Sequence, residues 1–318
     1  MAATEDVRWW GINNWTDLDL VRAELAAGAD PNYGAFFFEK PLHAAADRGS
    51  PEVIAELAGL VDDVDAKREG RTALWTAVFE GRTDNARALV SVGADPWRPM
   101  MSGWSPGRLS LAGPTPDLFP LLSPEAGLSE AEAAAVAEAG RLIPALGEYD
   151  YYDGLSLACV ADISAAEATA RLEAAPADDV DINALYEAPW NNPDADRIVG
   201  VTDVPGGCVI IQPWGHTPRT PGAAKRLSPG TVCYSMYANP KGGISGCVAR
   251  DGTVLAWEPH SACTMPADAL AEEILAAHLY RDHPVAFCCA GAGLRLTNAG
   301  PTIRSDMWLR LPERDWRT

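Results

Sequence analysis

A repeat with a period of 32 residues in the first third of the chain constrains the fold more than any other feature. The segment PLHAA at 41–45 is followed by Gly49, and ALWTA at 73–77 is followed by Gly81, so each feature moves by 32 positions (41 to 73, 49 to 81). A unit of this length is one supersecondary element and cannot bury its own apolar face. Neighbouring units must stack to cover that face, which predicts a repeat array.

The ends of these units also recur. GADPN at 28–32 returns as GADPW at 93–97, about two periods later. Together with PLHAA and the glycine after it, this pattern resembles the ankyrin repeat, whose unit reads T-P-L-H-x-A, then Gly, an apolar helix and G-A-D-x-N. The resemblance implies two helices per unit and makes His43 a structural, hydrogen-bonding histidine rather than a catalytic base. Trp75 stands at the equivalent place, and an indole cannot share base or metal chemistry.

We expect the units to match the repeat consensus to different degrees, because the terminal units of an array act as caps and depart from it. The first unit is truncated, the last is degraded, and these departures leave the repeat count open. The units lie at 15–32, 38–67 and 68–98 and near 105–106. The predicted fold class is a two-domain α+β protein with an N-terminal helical ankyrin-repeat solenoid at 1–113, a Pro-rich linker and connecting helix at 114–150, and an antiparallel-sheet α+β domain at 151–318.

Turn signals in the second half predict an antiparallel sheet. Asp251-Gly252 stands between two strand-like runs and suits a type I′ turn. The segment PGG at 205–207 separates two more such runs, at 198–201 and 208–211. Capping signatures and apolar patterns indicate further elements. These are helices opened by Ser129 and Ser164, a helix at 268–280, a strand-like run with Cys288 and Cys289 on opposite faces, and a closing strand at 307–311.

The order of these turn motifs resembles an uncharacterised α+β domain of actinobacterial proteins. The motifs that carry the resemblance are the segments GGCVI at 206–210 and DGTVLAWEP at 251–259. They consist mostly of turn residues, and the resemblance implies no activity. It therefore assigns no catalytic residue to this half of the chain.

Charge and cysteine content limit the classes of partner and compartment. The net charge is −19, and the acidic residues are spread along the chain. Nucleic-acid binding needs a basic surface, so we expect no nucleic-acid partner. No apolar stretch approaches the roughly 20 residues that span a membrane, and the first residues do not resemble a secretory signal. The seven cysteines show no regular framework, which favours reduced thiols and a cytoplasmic location.

Enzymatic and metal sites are the alternatives to a binding function. His260 lies three residues before Cys263, and with His278 and His283 these side chains are candidates for a nucleophile pair or a zinc set. No C-x-x-C pair is present, so we expect no metal and no cofactor. The segment GAG at 291–293 lacks the third glycine of a dinucleotide fingerprint. A deep pocket lined by His260, Cys263 or His216 would favour an enzyme whose repeats act as a targeting arm.

The resemblance to ankyrin repeats implies that a protein partner binds to the loops between units, called fingers here, and to the first helix of each unit. The fingers lie at 33–38, 67–70 and 97–104 and are rich in aromatic residues. Trp97 and Trp104 are the strongest candidates, whereas folding back over the core is an equal alternative for the phenylalanines at 36–38. The predicted partner-binding residues are Phe37, Asp47, Arg68, Phe79, Trp97, Arg98 and Trp104. The predicted function is binding of a cytoplasmic protein, with toxin neutralisation or regulation as its setting.

Overall fold

The structure is a computed structural model and describes residues 8–34, 40–123, 126–149, 154–239, 241, 243–256 and 265–318. The chain forms two compact units. The first comprises Met1–Val136 and Thr264–Leu279, and the second comprises Ala137–Cys263 and Tyr280–Thr318. The division after Val136 lies inside the predicted connecting helix, and residues 264–279, which come from the predicted sheet domain, belong to the first unit.

The first unit consists of paired helices. The first helices of successive repeats, α2, α4 and α6, lie side by side, and the second helices, α1, α3 and α5, do the same. The bounds are α1 Leu18–Ala26, α2 Pro41–Arg48, α3 Pro51–Ala58, α4 Ala73–Phe79, α5 Thr83–Ser91 and α6 Pro106–Ser110. Two more helices are α7, Glu130–Leu146, which contains the boundary between the units, and α11, Ala271–Leu279. This arrangement confirms the predicted helical ankyrin-repeat region.

Capping and apolar spacing explain why these segments are helical. Proline is the first residue of α2, α3 and α6, where its missing N–H is not needed. The hydroxyl of Thr72 accepts a hydrogen bond from the backbone N–H of Trp75, 3.2 Å away, and so caps α4. The predicted capping box at α7 is also present, because Glu132 Oε2 accepts from the N–H of Ser129 at 2.7 Å and Ser129 Oγ from that of Glu132 at 3.3 Å.

A buried polar contact joins successive repeats. The side-chain amide of Asn85, on α5, donates to the carbonyl oxygens of Ala45, Ala46 and Gly49 at 3.3, 3.1 and 3.1 Å. The Ala45 carbonyl also accepts from the backbone N–H of Gly49 at 2.8 Å. The last carbonyl groups of a helix have no partner further along that helix, and Asn85 supplies a donor to this helix end from the next repeat. The repeats are therefore held together by a specific polar contact as well as by apolar packing.

The second unit contains an eight-stranded antiparallel sheet in the order β2-β8-β3-β4-β1-β5-β6-β7. Its strands are β1 Leu155–Ala161, β2 Ala175–Pro176, β3 Ile198–Val204, β4 Gly207–Gln212, β5 Val232–Asn239, β6 Gly243–Arg250, β7 Thr253–Ala256 and β8 Met307–Arg310. Its further helices are α8 Ala165–Leu172, α9 Ile182–Glu187, α10 Pro221–Leu227, α12 Pro284–Gly291 and α13 Gly300–Ile303. The predicted antiparallel sheet is confirmed.

Both predicted hairpins are present. Arg250 pairs with Thr253 across a two-residue turn in which Asp251 and Gly252 have φ values of 50° and 75°. Positive φ at both central residues is the backbone of a type I′ turn, which matches the twist of the strands it joins. The second hairpin joins β3 to β4, whose first residue is Gly207.

The run that contains Cys288 and Cys289 is a helix, so its prediction as a strand is wrong. Pro284 begins α12, and a short apolar run does not distinguish a strand from a buried helix by its periodicity. Cys289 Sγ lies 3.6 Å from Cys159 Sγ of β1, in the core. The six described cysteines are free and buried, and burial raises the pKa of Cys208 to about 12 and that of Cys247 to about 11. Such thiols are poor nucleophiles at neutral pH.

Candidate partner-binding surface

The finger between the second and third repeats is a two-residue hairpin. Arg68 and Arg71 exchange backbone hydrogen bonds of 2.8 and 2.9 Å, and Glu69 and Gly70 between them have φ values of 50° and 81°. This is the backbone of a type I′ turn, for which glycine at the second central position is favoured. The finger therefore has a defined conformation of its own.

The next finger contains a similar turn but is one residue longer. The N–H of Trp104 donates to the carbonyl oxygen of Met101 at 3.0 Å across Ser102 and Gly103, whose φ values are 48° and 78°, and the N–H of Met100 donates to the carbonyl oxygen of Trp104 at 2.7 Å. Residues 35–38 of the finger at 33–38, including Phe37, lie outside the described residues. Two fingers with similar turns thus connect successive repeats.

His43 forms a hydrogen bond at the base of the second finger, at 67–70. Its Nε2–H donates to the carbonyl oxygen of Arg71 at 3.1 Å, which places the acceptor lone pair on Nδ1. Burial, opposed by that hydrogen bond, lowers the pKa of His43 to about 4. A neutral, buried histidine that bonds a finger carbonyl performs the structural role that the repeat pattern predicted.

The burial of His43 gives the first unit a pH dependence. The pKa of His43 is about 4 in the folded chain and 6.5 in the unfolded chain, so protons bind preferentially to the unfolded chain as pH falls below 6.5. We expect the first unit to lose about 1 kcal/mol of unfolding free energy between about pH 7 and about pH 5.5 from this group. Denaturant titrations at the two pH values measure the loss.

The variant His43→Gln removes the titrating group and should flatten this pH dependence. His216→Gln is the control, because His216 lies on an exposed loop of the second unit and should leave the dependence of the first unit unchanged. An equal pH dependence in wild type and His43→Gln would show that His43 is not the cause.

Three predicted site residues lie on or beside the fingers and are accessible. The Arg68 side chain is partly exposed, and its guanidinium lies 3.9 Å from the carboxylate of Glu69. Arg98 is exposed, with Nη1 3.7 Å from Oδ2 of the buried Asp65 carboxylate. Trp97 is half-buried against Gly107, where a methyl group would come within 2.9 Å of the indole.

A fourth predicted residue, Asp47, is partly exposed near the end of α2. Its carbonyl oxygen accepts a 2.8 Å hydrogen bond from Nε of Arg82, which belongs to the next repeat. Its carboxylate lies 3.8 Å from the guanidinium of Arg48. Asp47 is thus accessible on the first helix of its unit, while its backbone helps to join two repeats.

Phe79 and Trp104, both predicted to bind a partner, are buried. Phe79 is 5% exposed and Trp104 is 0% exposed. Trp104 directly precedes Ser105, whose hydroxyl caps α6, and Leu109 in the same helix is also buried. An apolar residue before the N-cap commonly packs on the fourth residue of the helix, and this staple was the sequence signal that favoured burial.

A segment from the far end of the chain covers these two aromatic side chains. Trp104 Nε1 donates to the carbonyl oxygen of Ala271 at 3.0 Å, and the Phe79 ring lies 5.4 Å from the ring of His278. Ser102 Oγ donates to the carbonyl oxygen of Ala269 at 2.5 Å. The sequence could not reveal these contacts, because they join residues more than 160 positions apart and no local pattern records such a pairing.

Of the residues proposed for an enzymatic site, the structure describes His216, His278 and His283. His260 and Cys263 lie outside the described residues, His278 belongs to the first unit and His283 to the second. The His216 ring lies 5.9 Å from the ring of Tyr237, and burial, with the charges of Arg219 and Arg317, lowers the pKa of His216. Among residues 8–34, 40–123, 126–149, 154–239, 241, 243–256 and 265–318, no cluster of three His, Cys, Asp or Glu side chains could hold a metal.

Comparison with known proteins agrees with the geometry of the first unit. None of the described helices is long and apolar enough to cross a membrane. No curated protein shows significant similarity to the chain. The family model of ankyrin repeats, in three copies, matches residues 10–100. Residues 10–100 are therefore ankyrin repeats. Repeats of this kind are in general protein–protein interaction modules.

Proposed function

We propose that the chain binds a cytoplasmic protein partner through the fingers at 67–70 and 97–104, and that it neutralises or regulates that partner. The observation that carries this proposal is the pair of fingers with similar turns described above. Each finger contains an arginine with an accessible side chain, Arg68 in one and Arg98 in the other. Arginine and tryptophan are enriched among the residues that dominate binding energy at interfaces, and Trp97 lies next to Arg98.

The charge of the chain favours a partner with a basic surface. At a net charge of −19, the whole molecule attracts basic proteins at long range and repels acidic ones. Long-range attraction raises the association rate and decreases with ionic strength. The arginines at the fingers then act locally, as contacts that fix orientation.

Changes at the third finger should weaken partner binding while leaving the fold intact. We expect Trp97→Ala with Arg98→Ala to raise the dissociation constant by about 10- to 100-fold, because truncated interface anchors cost about 1.4–3 kcal/mol. The partner is first isolated with the full chain as bait. Isothermal titration calorimetry of the purified pair then measures the affinity.

Arg87→Ala is the matched control for this change. Arg87 lies on α5, the second helix of its repeat, with a side chain that is exposed and paired with Asp84 at 3.0 Å. Its loss should leave affinity within about twofold of wild type, as expected for a residue outside the interface. Equal affinity of the double variant and wild type, with both folded, would remove the third finger from the binding surface.

A further inference from the structure

The segment at 266–279 packs along the part of the array where a partner is expected to bind. Ser102 and Trp104 of the third finger donate to its carbonyl oxygens at Ala269 and Ala271. On the second finger, a methyl group at Gly70 would come within 3.7 Å of Ala267 Cβ. The segment therefore contacts the third finger and lies close to the second.

The same segment also covers the first helix of the third repeat. His278 lies against Phe79 at the end of α4, and a methyl group at Gly113 would come within 3.2 Å of His278 Nε2. The proposed function places the partner on the fingers, and the resemblance to ankyrin repeats adds the first helix of each unit to that surface. The chain's own α11 thus occupies part of that surface.

The covering helix is amphipathic. Its buried residues Ile274, Leu275 and His278 are spaced i, i+1 and i+4, which places them on one helical face. Glu272 and Glu273 in its first turn are exposed, and the neighbouring Leu270 is 56% exposed. Laying the apolar face of such a helix into an apolar groove is a general mode of peptide recognition.

We propose that the face formed by Phe79, Met101, Ser102 and Trp104 is a helix-binding surface, and that α11 occupies it as an internal ligand. The partner supplies an amphipathic helix with the same apolar spacing and gains this part of the surface by displacing α11. The inference rests on the proposed function for the partner's identity as a protein. The geometry of the surface itself rests on the contacts of α11.

An internal ligand of this kind weakens the binding of an external helix to the same surface. A tethered helix acts at an effective concentration in the millimolar range, so an external helix competes poorly until the tethered one is undocked. Partner binding at the face is thereby coupled to release of 266–279. The fingers beyond the covered face remain available for a first contact.

A peptide with the sequence of residues 265–279, fluorescently labelled and added to the full-length protein, tests the proposal. Ile274→Asp with Leu275→Asp in the protein places two charges on the buried face of α11 and should undock it. We expect the double variant to bind the wild-type peptide saturably and at least tenfold more tightly than the wild-type protein does, since the tethered helix no longer competes.

Leu270→Asp is the matched control, because it introduces a charge into the same segment at an exposed position. This variant should bind the peptide as weakly as wild type. A double variant with wild-type circular dichroism that binds the peptide no better than wild type would overturn the proposal. This outcome would not change the affinity measurements with the Trp97 and Arg98 variant. The helix-binding proposal can therefore be wrong while the proposed function still holds.

Native-state hydrogen exchange of the unmodified protein supplies an independent measurement, in case the double variant does not fold. We expect the amides of α11 to exchange through a local opening, with a lower opening free energy and weaker denaturant dependence than those of α4. Exchange of α11 only through global unfolding, together with α4, would show that α11 is a fixed part of the core and would overturn the proposal.

Discussion

Replacing Trp104 by alanine is expected to lower the unfolding free energy of the first unit by about 3–5 kcal/mol. Trp104 has no exposed surface, and its indole nitrogen holds a 3.0 Å hydrogen bond to Ala271. The guanidinium of Arg108 lies 4.7 Å from the centre of the ring. The substitution removes the packing, the hydrogen bond and the cation–π contact at once. Denaturant-induced unfolding, followed by circular dichroism, measures the loss.

Trp97→Ala is the control for Trp104→Ala, because it makes the same substitution at a nearby position that is only half-buried. Trp97 is half-buried, so its loss should cost clearly less, about 1–2 kcal/mol from the area it buries. A Trp104→Ala variant as stable as wild type would show that this side chain is not core. The indole would then return to the set of accessible partner-binding residues.

Replacing Gly207 by alanine is expected to prevent the second unit from folding stably, with a loss of more than about 4 kcal/mol, a size reserved for severe local conflicts. Gly207 has a φ of 152°, and a methyl group there would lie 2.0 Å from the carbonyl oxygen of Val160. Val160 belongs to β1, which pairs with β4 in the middle of the sheet. Relief would require separation of two central strands. Thermal unfolding followed by circular dichroism checks this expectation.

Gly140→Ala gives the matched control within the second unit. Gly140 lies in α7, and a methyl group there meets no atom within 4 Å. Because alanine favours the helix over glycine, the variant should be stabilised by about 0.5–1 kcal/mol. Similar stabilities for Gly207→Ala and Gly140→Ala would contradict the tight approach of β4 to β1.

Local sequence signals predicted local structure well. The repeat period located the paired helices, and Asp251-Gly252 and the glycines at 206–207 located two hairpins, because turn backbones depend on a few residues at fixed positions. The capping residues Ser129 and Ser164 began helices as predicted. These features need no knowledge of distant contacts.

The errors arose where distant contacts decide the outcome. The run around Cys288 was short and apolar, and such runs are compatible with either a strand or a buried helix. Trp104 looked like a loop residue, but a helix from near the end of the chain covers it. Of the predicted binding residues, Asp47, Arg68, Trp97 and Arg98 are accessible, Phe79 and Trp104 are covered, and Phe37 lies outside the described residues.

Site-specific photo-crosslinking tests the central claim, that the fingers of the repeat array bind a protein, most directly. A photoreactive phenylalanine derivative replaces Arg98 at the third finger or, in a parallel sample, Arg87 on the second helix of the preceding repeat. Both side chains are accessible, with exposed fractions of 46% and 59%. After illumination in a lysate of the native cells, a discrete protein adduct from position 98 and none from position 87 is the predicted result. Equal adducts from both positions, or an adduct from position 87 alone, would contradict the account.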